Sequence, residues 1–194
     1  MSINNKNLNT ESNKIRKASM LIMYVHDKII SNQNIRRMMY YNTKNPLSKI
    51  GLTYNGKEIA QPDVEEDQVK DIITDLPFSP DIGDSLQNNI YINLPKGVFS
   101  DKNELYIDIN VLVPIEFTKI SNGKREYEIS QEIANELDEI YVEGEYQKEL
   151  GGGLKLKYIN SYTERLSKVN SFTWVCNKYK CEQTPLDRIK VWVI

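Results

Sequence analysis

The sequence predicts an α+β fold: one mainly antiparallel β-sheet with helices packed on one face, plus an N-terminal helical arm. Two periodicities carry that prediction. Leu105, Ile107, Ile109, Val111 and Val113 alternate with Tyr106, Asp108, Asn110 and Leu112, the period of a strand. Residues 15–29 and 130–141 instead repeat their apolar positions every three or four residues, the period of an amphipathic helix. The resulting order is helix, helix, hairpin, strands, helix, strands.

Each element follows from its residues. Met1 to Asn13 is polar and Asn-rich and is expected to be a flexible tail that orders only on a partner. Residues 14–194 read as a single α+β domain, with the helical arm at about 14–45 and a loop-rich insertion at about 52–88. In the arm, Ile15, Ala18, Ile22, Val25 and Ile29 form one apolar stripe, with Ser12 or Asn13 as the cap. Met20, Met23 and Tyr24 widen that stripe, so the helix is expected to touch more than its own core. A second helix is predicted at 34–41, with Ile35, Met38 and Met39 inward and Arg36 and Arg37 outward. Asn45-Pro46 follows it, since a residue before proline avoids the helical region.

Asn55-Gly56 between Leu52 and Ile59 is the signal of a tight hairpin. The acidic stretch Asp63, Glu65, Glu66, Asp67, Asp71 and Asp75 reads as a short helix with a solvated face, anchored by Val69, Ile72 and Ile73. Residues 74–87 carry Pro77, Pro80 and Gly83 and read as a long functional loop. Ile90, Ile92 and Leu94 mark a strand, and 105–113 a half-buried central one that Pro114 ends. Ile133, Leu137 and Ile140 share a helical face. Gly151-Gly152-Gly153 is a turn, after which 154–162, 169–176 and 188–194 read as strands.

Composition narrows the function. The chain has 194 residues, 40% of them hydrophobic and 27% charged, which is too apolar for general disorder. A net charge of -2 argues against a dedicated nucleic-acid binder. The longest apolar run, Ala18 to Val25, is too short to span a bilayer, and the start lacks the pattern of a signal peptide. Two cysteines and one histidine exclude a disulfide scaffold and a histidine metal cage.

Candidate chemistry is thin. A metal-dependent nuclease would need converging acids and a lysine. Asp81 and Asp108 are the candidates, but Glu116 and Lys119 stand one residue too far apart for the usual acid-x-Lys element. The acidic stretch lacks the spacing of a calcium loop. Cys176 and Cys181 read as free thiols, and His26 as a residue at the core boundary. The triple glycine lacks the fixed spacing of a phosphate loop. Arg36 and Arg37 with Tyr40 and Tyr41 form a basic-aromatic patch, and twelve Tyr against four Phe point to half-wet aromatic positions. The balance favours a surface that binds protein, with no cofactor and no metal expected.

Three segments carry a family resemblance: Ile35-Arg36-Arg37-Met38-Met39-Tyr40-Tyr41 running into Asn45-Pro46-Leu47-Ser48, the strand from Glu104 to Pro114, and the helix over 129–141. In this order they resemble bacteriophage neck proteins, the head-tail connector and tail-terminator-like ring subunits. The resemblance implies a non-enzymatic virion subunit, assembled in the host cytoplasm, that closes into a ring of six or twelve copies between portal and tail. Its neighbours would be portal, adaptor or tail proteins, and DNA would pass the lumen without sequence-specific binding. The expected protein-interface residues are Met20, Met23, Tyr24, Arg36, Arg37, Tyr40, Tyr41, Phe78 and Pro80. The alternatives are a small metal-dependent phage nuclease and a monomeric regulatory binding module.

Overall fold

A computed structural model of the protein describes residues 8–75, 87–95, 105–150, 153–165 and 172–183. Two helices open it, α1 (Leu8–Ser31) and α2 (Gln33–Tyr40), followed by the hairpin β1 (Ile50–Tyr54) and β2 (Lys57–Ala60). A 3-10 turn over Glu66–Gln68 leads to β3 (Ile73–Thr74), then to β4 (Asn89–Asn93) and β5 (Leu105–Pro114). The short strands β6 (Lys119–Ile120) and β7 (Gly123–Lys124) precede α3 (Arg125–Leu137) and α4 (Gly144–Leu150). Finally β8 (Leu154–Arg165) and β9 (Phe172–Gln183) form a long antiparallel pair.

Five strands make one sheet in the order β3-β4-β5-β9-β8, parallel only between β3 and β4. The expected α+β class is therefore the one observed. One sheet face carries Ile90, Ile92, Ile107, Ile109, Val111, Leu156 and Tyr179. It packs with Leu21, Val25, Ile29, Ile35, Met38, Ile129, Ile133 and Leu137 of the helices in a single core. Full burial of a side chain such as Ile133 contributes about 2 kcal/mol.

Several boundaries differ from expectation. Helix α1 starts at Leu8, so residues 8–13, expected in the tail, are helical. Its buried stripe is Ala18, Leu21, Val25 and Ile29, while Ile15 is exposed and Ile22 only half-buried. Because Leu21, Val25 and Ile29 are core residues, the second half of the supposed arm is part of the globule. The stretch expected as an insertion supplies core residues Val64, Val69 and Ile73 and the edge strand β3. Strand β5 is buried on both faces from Ile107 to Pro114, not on one. Helix α3 begins at Arg125 and ends at Leu137, and Ile140 instead lies in a segment hydrogen-bonded to β8. The strand expected at 188–194 lies outside the described residues.

Candidate protein interface

Arg37 was expected outward but is buried, because its guanidinium faces a ring of carbonyls. It donates to the carbonyls of Pro46 (3.2 Å), Ser48 (2.7 Å), Gln61 (2.8 Å) and Pro62 (2.7 Å), with Asp63 at 3.4 Å. The Tyr41 ring lies against it, 5.4 Å from the centroid. Arg125 does the same from the start of α3. It donates to the carbonyls of Met38 (2.6 Å), Tyr41 (2.8 Å), Thr43 (2.7 Å) and Phe117 (2.9 Å). Burial pulls its pKa down to about 10, with Glu126 opposing, so it keeps its charge at neutral pH. A buried cation is tolerable when its donors are satisfied in this way.

The side chains of Gln61 and Asn88 complete the clamp. Gln61 donates to the carbonyls of Asn45 (3.0 Å) and Ser48 (2.8 Å), and Asn88 to that of Met39 (2.8 Å). The loop between α2 and β1 is thus held from four directions.

What this clamped loop presents is apolar. The hairpin β1–β2 forms a sheet of its own, turned by Asn55 (φ 50°) and Gly56 (φ 74°) as the Asn-Gly signal requires. Ile50, Tyr54 and Ile59 are 57%, 68% and 46% exposed, with Leu47 and Tyr40 exposed nearby. A cleft of about 240 Å³ opens at the loop before it, lined by Met38, Pro46, Leu47, Ile120 and Glu128 among others. Ile50, Leu47 and Ile59 were not among the residues expected at an interface. The strand signal was legible, but its separation from the main sheet was not.

The expected interface residues divide. Met23 and Tyr40 are exposed, and Met20 is half-buried against the core. Tyr24 is buried, donates to the Tyr141 carbonyl at 3.2 Å and packs edge-on to Tyr146; burial raises its pKa. Arg36 donates to the Ile30 carbonyl (2.9 Å) and to Glu66 (3.1 Å). Tyr41 donates its hydroxyl to the Pro62 carbonyl at 2.9 Å. Tyr24, Arg37 and Tyr41 thus brace the fold. Phe78 and Pro80 lie outside the described residues, as does Asp81.

Asp108 sits on the sheet face away from the helices, in register with Asn93 on one side and Lys178 on the other. Desolvation raises its pKa against the pull of Lys178, and its Oδ1 has no hydrogen-bond partner among the described residues. Next to it, Asn110 donates to Asn93 (2.7 Å) and accepts from Trp174 Nε1 (2.9 Å). Among the described residues no group of three or more His, Cys, Asp or Glu is placed to hold a metal ion. Cys176 and Cys181 are both buried on β9. Their odd separation points them to opposite faces, so they cannot share a bond or an ion. Among the described residues, no helix is long and apolar enough to cross a membrane.

No curated protein and no solved structure matches the chain. A family model does, from residue 32 to residue 181, which takes in α2, the clamped loop, the hairpin and the described sheet. Its name is that of a gene product from the SPbeta region of a Bacillus phage, which points to a phage-derived protein. With most of its length matched, the chain belongs to the YomW family.

Proposed function

We propose that this protein is a structural subunit of a tailed phage that self-associates into a ring in the neck, as head-tail connector or tail terminator. The observation that carries the reading is the hairpin β1–β2: an exposed two-stranded sheet with apolar side chains outward, fixed at its base by Arg37 and Gln61. A free hairpin is only marginally stable in water. Holding one out rigidly with exposed Ile50, Tyr54 and Ile59 is sensible when a partner covers it. Among the exposed acids of residues 63–71, Asp63, Glu66 and Asp67 are paired with Arg37 and Lys49, with Arg36 and with Lys70, and Glu65 and Asp71 would add repulsion of phosphate, which suits a channel that DNA must slide through.

The test is a phage carrying Ile50→Ser, Tyr54→Ser and Ile59→Ser together in this chain. Electron microscopy of lysates should show heads and tails that fail to join, with the variant subunit soluble and folded. Normal yields of intact virions from that phage would remove the hairpin from the joint.

A further inference from the structure

The cleft at the foot of the hairpin has a fixed shape. Its lining comes from residues 44–48 of the loop before β1, residues 120–122 at the β6–β7 turn, and Met38 and Glu128 on the helices. The loop is held by its carbonyls. The Ser121 amide donates to that of Lys44 (2.8 Å), Gln61 to that of Asn45 (3.0 Å), and Arg37 to those of Pro46 (3.2 Å) and Ser48 (2.7 Å). A site whose shape exists before binding loses little entropy when it is filled. Met38, Pro46 and Ile120 are buried and supply its apolar surface. The side chains of Lys44 and Glu128, by contrast, have no partner among the described residues.

Building on the ring reading, we propose that this cleft receives the hairpin tip of a second copy, with the ring of Tyr54 inside it and Lys57 paired with Glu128. Three observations select that occupant. Tyr54 is 68% exposed, more than any other large hydrophobic residue described, and its side chain meets no ring and no hydrogen-bond partner among the described residues. A cleft of about 240 Å³ is below the size of a site for a drug-sized ligand and suits one side chain. An aromatic ring fills its apolar part, and the hydroxyl stays with the polar groups of Ser121 and Asn122.

The second is charge. Lys57 stands directly opposite Tyr54 across the hairpin, so the two side chains leave on the same face. Glu58, the next residue of β2, leaves on the other face. Both are exposed and unpaired among the described residues. The cleft offers one unpaired charge of each sign, and the tip brings one of each: Lys57 for Glu128 and Glu58 for Lys44. An occupant of a single sign would leave one of the cleft's charges unmatched.

The third is arrangement. The hairpin leaves directly from the cleft loop, since β1 begins two residues after Ser48, and its five residues carry the tip about 16 Å from the foot. Tyr54 is exposed in its own copy, so the cleft it fills is that of another. Cleft and tip are different patches held in one rigid relation by the Arg37 and Gln61 clamp. A contact between different patches is heterologous, the kind that closes into a ring when its rotation permits.

Exchange of the two charges tests this on the full-length chain, with self-association measured by sedimentation at rising concentration. The unmodified chain should associate. Lys57→Glu and Glu128→Lys should each weaken that association about tenfold, and the two combined should regain it. Tyr54→Ser should abolish it with the melting temperature unchanged. Where Glu128→Lys does not fold, Glu128→Gln takes its place and should weaken association in the same direction. A chain that stays monomeric when concentrated overturns the proposal. So does association that ignores Tyr54→Ser, or folded charge variants whose combination restores nothing. Copy number in the particle reports on the ring reading separately. Multiple copies with association indifferent to Lys57 and Glu128 would sink this contact and leave the ring; rescue by the exchanged pair in a chain absent from the particle would do the reverse.

Discussion

Arg125 offers its guanidinium to four carbonyls from α2, the following loop and the segment before α3. Removing it leaves those acceptors buried and unmatched, so Arg125→Met should cost about 3 kcal/mol or more in urea unfolding. Arg125→Lys should recover only part, because an ammonium cannot reach four acceptors in a plane. Loss below about 1 kcal/mol for Arg125→Met would contradict the clamp. Arg37 shows why such roles escape a sequence. Its partners at 46, 48, 61 and 62 are brought to it by the fold, and the helical period alone placed it beside Arg36 on a wet face. Asp108 makes a prediction of opposite sign. Its folded pKa is raised by burial, so its contribution to stability is full below its ordinary value of 3.8 and is lost as pH rises through the folded value. Asp108→Asn should therefore raise the melting temperature at neutral pH and flatten its fall as pH rises above the ordinary carboxylate value. Glu126 shifts in the same direction for the same reason and keeps a residual slope. An unchanged profile in Asp108→Asn would show that the carboxylate is not strained. Burial also pushes the Cys181 thiol up to about 12, so a thiol reagent should label neither cysteine until the protein is unfolded. Rapid labelling of the native chain would contradict the core placement.

At the level of elements, local signals were read well and tertiary ones less so. Asn55-Gly56 announced its turn, and both residues take the positive φ such a turn needs. A Cβ at Gly56 would meet nothing within 4 Å, so the cost of Gly56→Ala is conformational only, about 1 kcal/mol. Thermal melts should show that small loss, and a much larger one would mean the hairpin packs on something. Helix α3 was legible through Ile133 and Leu137, and Ile133→Ala should cost about 2–5 kcal/mol. Its start was missed because Arg125 and Glu126 look like surface residues, yet both are buried by the clamp and the sheet. Alternation along β5 identified the strand. It did not reveal that Asp108, Asn110 and Leu112 on its other face are buried too, since polar residues in a period-2 pattern read as wet.

For the whole molecule, the fold class followed from two periodicities, while the candidate site depends on how the strands pair. That the hairpin β1–β2 stands apart from the main sheet among the described residues is seen only once the strand order β3-β4-β5-β9-β8 is known. The family match spans that hairpin. Met23 remains as an exposed residue of α1, before the matched span. Met23→Glu should leave the monomer stable within about 0.5 kcal/mol, as a surface change does, and its effect on assembly reports whether α1 joins the interface. A ring subunit of the neck has to be part of the particle. Purified phage should be dissociated and its proteins counted by mass spectrometry. The ring reading predicts roughly six to twelve copies of this chain per virion; its absence from the particle would contradict it.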